Sequence, residues 1–209
     1  MSVSLPRSSR VKRAPRPAAP AQIAPAVEDA ELVRRAREED DAWARDALFR
    51  RYIRDVAGLV TRLAGRRSEA EDIVQETMAD ALTHLSELRE PASFRAWLLG
   101  IAVRRVRRAH RRRSVRRFFG IDGGEDDASL FDLASPTASP EVRAELALLD
   151  ALLVRLPVDE RIAWSLRRVE GEPLESIAGI TGVSLATVKR RVDAVDVRVR
   201  GHMNRMGEP

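Results

Sequence analysis

The sequence predicts an all-α protein: two small helical domains joined by a flexible acidic linker, the C-terminal one a helix-turn-helix. Three observations carry this. Side chains suited to a core recur at three- and four-residue intervals, as in Ile73, Val74, Thr77, Met78, Ala81 and Leu82, or in Val188, Val192, Val195 and Val199. No stretch alternates as a half-buried strand does. Aromatic residues make up only 4% of the chain against 44% hydrophobic, so any core rests on Leu, Val, Ile and Ala, a helix-favouring palette.

The elements follow in order. Residues 1–27 hold Pro6, Pro15, Pro17, Pro20 and Pro25 among Arg7, Arg10, Lys12, Arg13 and Arg16, with no apolar period. They read as a disordered basic arm, a solvated tail in preference to a phosphate-contacting one. Residues 28–117 read as the first helical domain, with Pro91 marking a loop. Residues 118–140 carry Gly120, Gly123, Gly124, Pro136 and Pro140 with Asp122, Glu125, Asp126, Asp127 and Asp132. Such a stretch cannot build a core and reads as a tether. Residues 141–201 return to helical spacing, broken at Pro157 and at Gly171–Pro173, and residues 202–209 form a tail.

The second domain carries the sharpest local signal. Leu174, Ile177 and Ala178 mark a short helix, Gly182 fits a left-handed helix end, and Ser184 fits the cap of the next helix. In that helix Leu185, Val188, Val192, Val195 and Val199 form one apolar stripe. Ala186, Thr187, Arg190, Arg191, Ala194 and Arg198 lie opposite it. Small residues let a helix enter the major groove, and arginine forks match guanine edges and phosphates. Asp193 and Asp196 are expected in i,i+4 pairs with Lys189 and Arg200.

In the first domain, Asp72, Gln75, Glu76, Ala79 and Thr83 share the face opposite the core side of their helix. This acidic and amide stripe suits a basic partner, although a solvated face has the same pattern. Phe94, Trp97, Leu98 and Ile101 mark a further helix, with Ser93 as its expected cap. Arg104, Arg105, Arg107, Arg108, Arg111, Arg112, Arg113, Arg116 and Arg117 then follow with no acid between them. Crowded guanidinium groups repel unless an anion neutralises them, and a phosphate backbone is the expected anion. The net charge of +5 agrees: 37 basic residues, with lysine only at positions 12 and 189.

Composition also excludes. With no cysteine there is no disulfide, thiolate site or thiol catalysis. His84, His110 and His202 show no metal-ligand spacing, so neither a cofactor nor an enzymatic activity such as a nuclease is expected. No apolar run is long enough to span a bilayer, and no secretory signal is visible, so a cytoplasmic protein without membrane insertion is expected.

Taken in order, the motifs are Glu71-Asp72-Ile73-Val74-Gln75-Glu76-Thr77, Ser93-Phe94-Arg95-Ala96-Trp97-Leu98, the arginine run, Leu156-Pro157, Glu170-Gly171, Ile177-Ala178 and Thr187-Val188-Lys189-Arg190-Arg191. Together they resemble the RNA polymerase sigma factors of the extracytoplasmic-function group, over residues 30–113 and 141–201. The resemblance implies that the chain binds core RNA polymerase, through the clamp of the beta-prime subunit and the flap of the beta subunit, and directs promoter-specific initiation. Asp72, Gln75 and Glu76 match the motif that meets the clamp. Arg89, Ser93, Arg104, Arg105 and Arg108 match the part that captures and melts the −10 element. Ser184, Ala186, Thr187, Lys189, Arg190 and Arg191 match the reader of the −35 element. The acidic linker would thread a cationic polymerase channel, and an anti-sigma factor is a candidate partner. The chain departs from the family pattern at Arg104, where asparagine is common, at Pro173, where a Ser/Thr cap is usual, and at Arg190, Asp193 and Asp196. The rival reading is a stand-alone helix-turn-helix regulator that does not bind polymerase; it leaves the stripe beside the arginine run unexplained.

Overall fold

The structure, a computed structural model, describes residues 28–64, 66–120 and 139–206. The first domain comprises α1 (Asp29–Glu38), α2 (Ala42–Ala64), α3 (Arg67–Thr83) and α4 (Phe94–Phe118). Two 3-10 turns, Leu85–Glu87 and Pro91–Ser93, join α3 to α4. The second comprises α5 (Pro140–Val154), α6 (Val158–Arg168), α7 (Leu174–Thr181) and α8 (Leu185–Met206). No strand occurs among the described residues. The boundaries differ from expectation at three points. Helix α4 runs through Phe118, Pro140 opens α5 instead of ending the linker, and α8 continues through residues 202–206 where a tail was expected. Pro140 suits a first helical position, where no N–H is needed. The arm at 1–27 and the acidic stretch 121–138 lie outside the described residues.

Local chemistry sets the helix ends. Asp41 accepts from the backbone N–H groups of Trp43 (2.9 Å) and Ala44 (3.2 Å), satisfying two donors that open α2. Gly182 closes α7 at φ 70°, a left-handed conformation that costs glycine little. Its N–H donates to the Ala178 carbonyl at 2.9 Å. Ser184 then accepts from the Thr187 N–H at 3.3 Å at the start of α8, the role expected of it. Ser93 is different: it precedes α4 but makes no side-chain cap bond. The 3-10 turn before it already directs the chain into the helix.

The first domain buries Leu32, Val33, Leu48, Val56, Leu59, Phe94, Leu98, Val103 and Val106. Phe94 stacks at a tilt between Tyr52 (5.5 Å) and Trp97 (5.9 Å). On α3, Ile73, Thr77 and Ala81 are buried as expected, but Leu82 is 48% exposed. It lies at the edge of the apolar stripe.

The largest departure from expectation is the relation between the domains. Buried side chains of α2, α3 and α4 and those of α6, α7 and α8 form one continuous apolar cluster. Among the described residues, Leu153, Trp164 and Val195, with Leu149, Leu156 and Val199 against them, make a separate core in the second domain. A helical unit this small cannot bury all its apolar surface alone, and the first domain supplies the missing wall.

Asp196 shows how tertiary packing overrides a local pairing rule. Instead of pairing chiefly with Arg200, it accepts from the Trp164 indole N–H at 2.9 Å and forms an ion pair with Arg168. The Arg168 hydrogen bond, with the Trp164 donor, holds its carboxyl below the usual carboxylate range. A carboxyl with a lowered native pKa stabilises the fold fully above its unfolded value of about 4. That stabilisation is lost as pH falls through the native value. Asp196→Asn is therefore expected to lower the urea midpoint near pH 7 and to differ little from the parent near pH 2. A gap of equal size at both pH values would show that the charge contributes nothing.

Candidate nucleic-acid interface

Three surfaces hold the residues singled out by sequence. The first is the outer face of α3, where Asp72, Gln75 and Glu76 are all exposed. The helix period that buries Ile73 and Thr77 turns these three outward together.

The second surrounds the start of α4. Arg89, Ser93 and Arg104 line one cleft of roughly 560 Å³ with Leu88, Trp97 and Gly100. Trp97 is half-buried there, an aromatic face beside arginines, the combination that stacks and neutralises an unpaired nucleotide. In the sequence Trp97 serves only to mark the helix with Phe94, Leu98 and Ile101. Its position three residues after fully buried Phe94, at the edge of the stripe, was the available signal.

Arg105 and Arg108 do not line that cleft, but they line a smaller one together with Arg104, Ile101 and Asp80. They share a groove with Asp72, Glu76 and Arg112. Arg105 donates to Asp80 through Nε (2.8 Å) and Nη2 (2.5 Å), and to Glu76 through Nη1 (2.5 Å). Arg105, expected at the −10 element, is therefore held chiefly by Asp80 and also by Glu76 of the stripe. These pairs raise the Arg105 pKa further, with the Asp80 hydrogen bond the main cause.

The arginine run is accordingly not uniform. Arg113 is 3% exposed and donates to the Ala64 carbonyl and to Glu69. Arg107 pairs with Asp159 at 2.8 Å. Arg104, Arg108, Arg111, Arg112, Arg116 and Arg117 remain exposed. Part of the crowding is thus relieved within the protein, by carboxylates distant in sequence that a linear reading could not assign. The exposed remainder still presents a cationic face to a polyanion.

The third surface is the outer face of α8. Ser184, Ala186, Lys189 and Arg190 are exposed, while Thr187 is half-buried with its hydroxyl 3.0 Å from that of Ser184. Arg191 is half-buried and pairs with Asp159 at 2.8 Å. Arg198 likewise pairs with Glu160. The free basic character of the recognition helix rests on Lys189 and Arg190 near its N-terminus.

A cationic helix beside an aromatic cleft, joined to a helix-turn-helix, defines a DNA-binding protein of transcription. Comparison with known proteins sharpens the class. The family Sigma-70 region 2 matches residues 48–116, and Sigma-70, region 4 matches residues 146–193. The RNA polymerase sigma-H factor of Pseudomonas aeruginosa is 31% identical over 173 residues, covering 79% of this chain and 88% of that protein. The ECF RNA polymerase sigma-E factor of Haemophilus influenzae is 30% identical over 177 residues, covering 81% and 92%. Among solved structures, the sigma factor RpoE in complex with the anti-sigma factor NepR from Bartonella quintana has a TM-score of 0.64 at 22% identity. It covers 76% of this chain and 96% of that one. CnrH in complex with the cytosolic domain of CnrY has a TM-score of 0.62 at 20% identity, covering 84% and 97%. The chain belongs to the sigma-70 family of RNA polymerase sigma factors, in its extracytoplasmic-function group. It is a transcription initiation factor, and the stand-alone regulator is not favoured.

Among the described residues, no helix is long and apolar enough to cross a membrane.

Proposed function

We propose that the two domains divide promoter recognition between them, with polymerase as the scaffold. Asp72, Gln75 and Glu76 dock the clamp of the beta-prime subunit. The cleft of Arg89, Ser93, Trp97 and Arg104 receives an extruded base of the −10 non-template strand, while Arg108 follows its phosphates. Stacking and ion pairing inside the cleft offset unstacking of a few kcal/mol. The outer face of α8, through Ser184, Ala186, Thr187, Lys189 and Arg190, reads the −35 duplex, aided by the flap of the beta subunit. The carrying observation is that clamp stripe and strand cleft lie on adjoining helices, α3 and α4, of one packed domain. No bond-making chemistry is needed, so the chain acts as a regulator and not as an enzyme. It works in the cytoplasm, where promoter DNA and polymerase meet. The Bartonella relative is solved with an anti-sigma factor, and a partner of that kind is proposed here too.

Run-off transcription with core polymerase on a genomic promoter library, followed by mapping of start sites, tests this reading. Transcripts sharing two elements at fixed spacing support it; absence of factor-dependent transcripts overturns it. In the same assay Arg190→Ala is expected to cost about 1–3 kcal/mol at one base position of the upstream element. Uniform weakening across all sequences would instead make Arg190 a phosphate contact.

A further inference from the structure

The recognition helix α8 is tied to the rest of its domain by directional bonds set well behind its reading turns. Val195, fully buried, packs with Trp164 of α6 and Leu153 of α5 in the separate core of the second domain. One residue further on, Asp196 accepts the Trp164 indole N–H at 2.9 Å and the Arg168 guanidinium through both of its oxygens. Trp164 and Arg168 stand one turn apart on α6, so they reach the same carboxylate from one face. The Asp196 side chain is only 13% exposed. At the other end of α6, the adjacent Asp159 and Glu160 pair with Arg191 and Arg198, which lie about two turns apart on α8.

Apolar contact alone would leave the angle of α8 loose. Ridges packed into grooves admit crossing angles that scatter by about 15–20°. At ~1.5 Å per residue, Thr187 lies about 12 Å along the helix axis from Val195. Over that arm, a turn of about 15–20° displaces the reading residues by roughly 3–4 Å. A hydrogen bond to a base edge tolerates about 0.5 Å. Bonds with direction must therefore fix the angle, and Asp196 makes them from a single side chain. A lysine or arginine at 196 could accept from neither the indole nor the guanidinium, and an apolar side chain could accept from nothing. Both carboxylate oxygens are engaged within the domain, so Asp196 itself does not face DNA.

We infer that Asp196 is a positioning residue for promoter selection: clasped by Trp164 and Arg168, it sets the angle at which α8 presents Thr187, Lys189 and Arg190, and so tunes base preference at the upstream element without touching DNA. This role rests on the reading of that element by the outer face of α8. Asp159 and Glu160 complete the mounting from the opposite end of α6. The clasp itself, Asp196 with Trp164 and Arg168, belongs wholly to the second domain. A pair that only stabilised the fold would act differently. Lost stability lowers the competent fraction and weakens binding to every sequence by the same factor. A displaced helix disturbs some contacts more than others, so the ratios between sequences change.

Holoenzyme assembled from core polymerase and the full-length factor, selected on a promoter library randomised over the upstream element, gives affinity ratios at each base position. Asp196→Ala is expected to change the ranking of bases, with the ratio of best to worst base at the strongest position falling about tenfold. Trp164→Phe keeps an aromatic ring in the core and removes the indole donor, and should shift the same positions by a smaller factor. Arg168→Asp/Asp196→Arg restores an ion pair with its sign reversed, and its ratios should lie closer to the parent's than those of either single change. Circular dichroism checks that each variant stays helical; if Asp196→Ala does not fold, Trp164→Phe carries the test. Ratios equal to the parent's in the clasp variants, whatever the loss of overall affinity, overturn the positioning role. A double exchange no better than the single changes overturns the part assigned to Arg168. Thr187→Ala/Arg190→Ala separates the causes. If it leaves the ratios unchanged, α8 does not read the upstream element, and that reading falls together with the positioning role. If it alters them while the clasp variants do not, only the positioning role falls.

Discussion

Truncating Phe94 to alanine is expected to cost the fold about 3–5 kcal/mol. The side chain is fully buried and wedged between Tyr52 and Trp97, at the point where the chain leaves the Pro91–Ser93 turn and begins α4. Its loss removes a large transfer term and leaves a cavity whose walls belong to different helices, so collapse is incomplete. Against a total stability of about 5–15 kcal/mol, that is a large share. Urea denaturation followed by circular dichroism measures it. Leu82→Ala is the control: its apolar spacing suggests a core residue, yet 48% of it is exposed, and a change within about 0.5 kcal/mol is expected. Equal costs at the two sites would contradict the packing described. Phe94 also packs on Trp97 in the α4 cleft; if that cleft takes the −10 strand as proposed, the loss of −10 recognition should exceed what the unfolded fraction explains.

Reversing charge on the α3 stripe should have the largest functional effect. In Asp72→Arg/Gln75→Arg two cations replace an acid and an amide on an exposed face, leaving Glu76 and its bond to Arg105 in place. If the stripe meets a basic clamp surface, the new like-charge contacts cost several kcal/mol. Each ~1.4 kcal/mol is a factor of ten, so core affinity should fall by about 100-fold or more. Fluorescence titration with core polymerase measures the loss, and promoter-dependent transcription should fall with it. Retained core affinity would sink the clamp assignment. Duplex binding by the recognition helix is a useful comparison, because Lys189 and Arg190 lie on the other domain and are expected to be unaffected. Glu76 is less informative as a target: Arg105 is bonded to it and to Asp80, so its loss perturbs α4 as well as the stripe.

Much was legible in the linear chain because the signals were periodic or stereochemical. The apolar stripes of α3 and α8, the left-handed Gly182 and the Ser184 cap each depend on residues within one or two turns. So does the exposure of Asp72, Gln75 and Glu76, since burying one face of a helix turns the other outward. What the linear chain could not show is pairing between residues distant in sequence. Arg105, Arg107, Arg113 and Arg191 look alike in a run of guanidinium groups, yet Asp80, Asp159 and Glu69 take them into the protein and leave their neighbours exposed.

By itself, then, the sequence determined helix, turn and outward face, because 3.6-residue periodicity and capping are local properties. It also specified the sigma-factor class, through the order of its motifs. Only the tertiary structure decided that the two domains share one core, that α7 lines the cleft beside Trp97, and which arginines pair across the chain. Those outcomes depend on charges and apolar faces meeting across the chain, where electrostatic pairing and burial choose among many locally equivalent arginines and no periodicity records the choice.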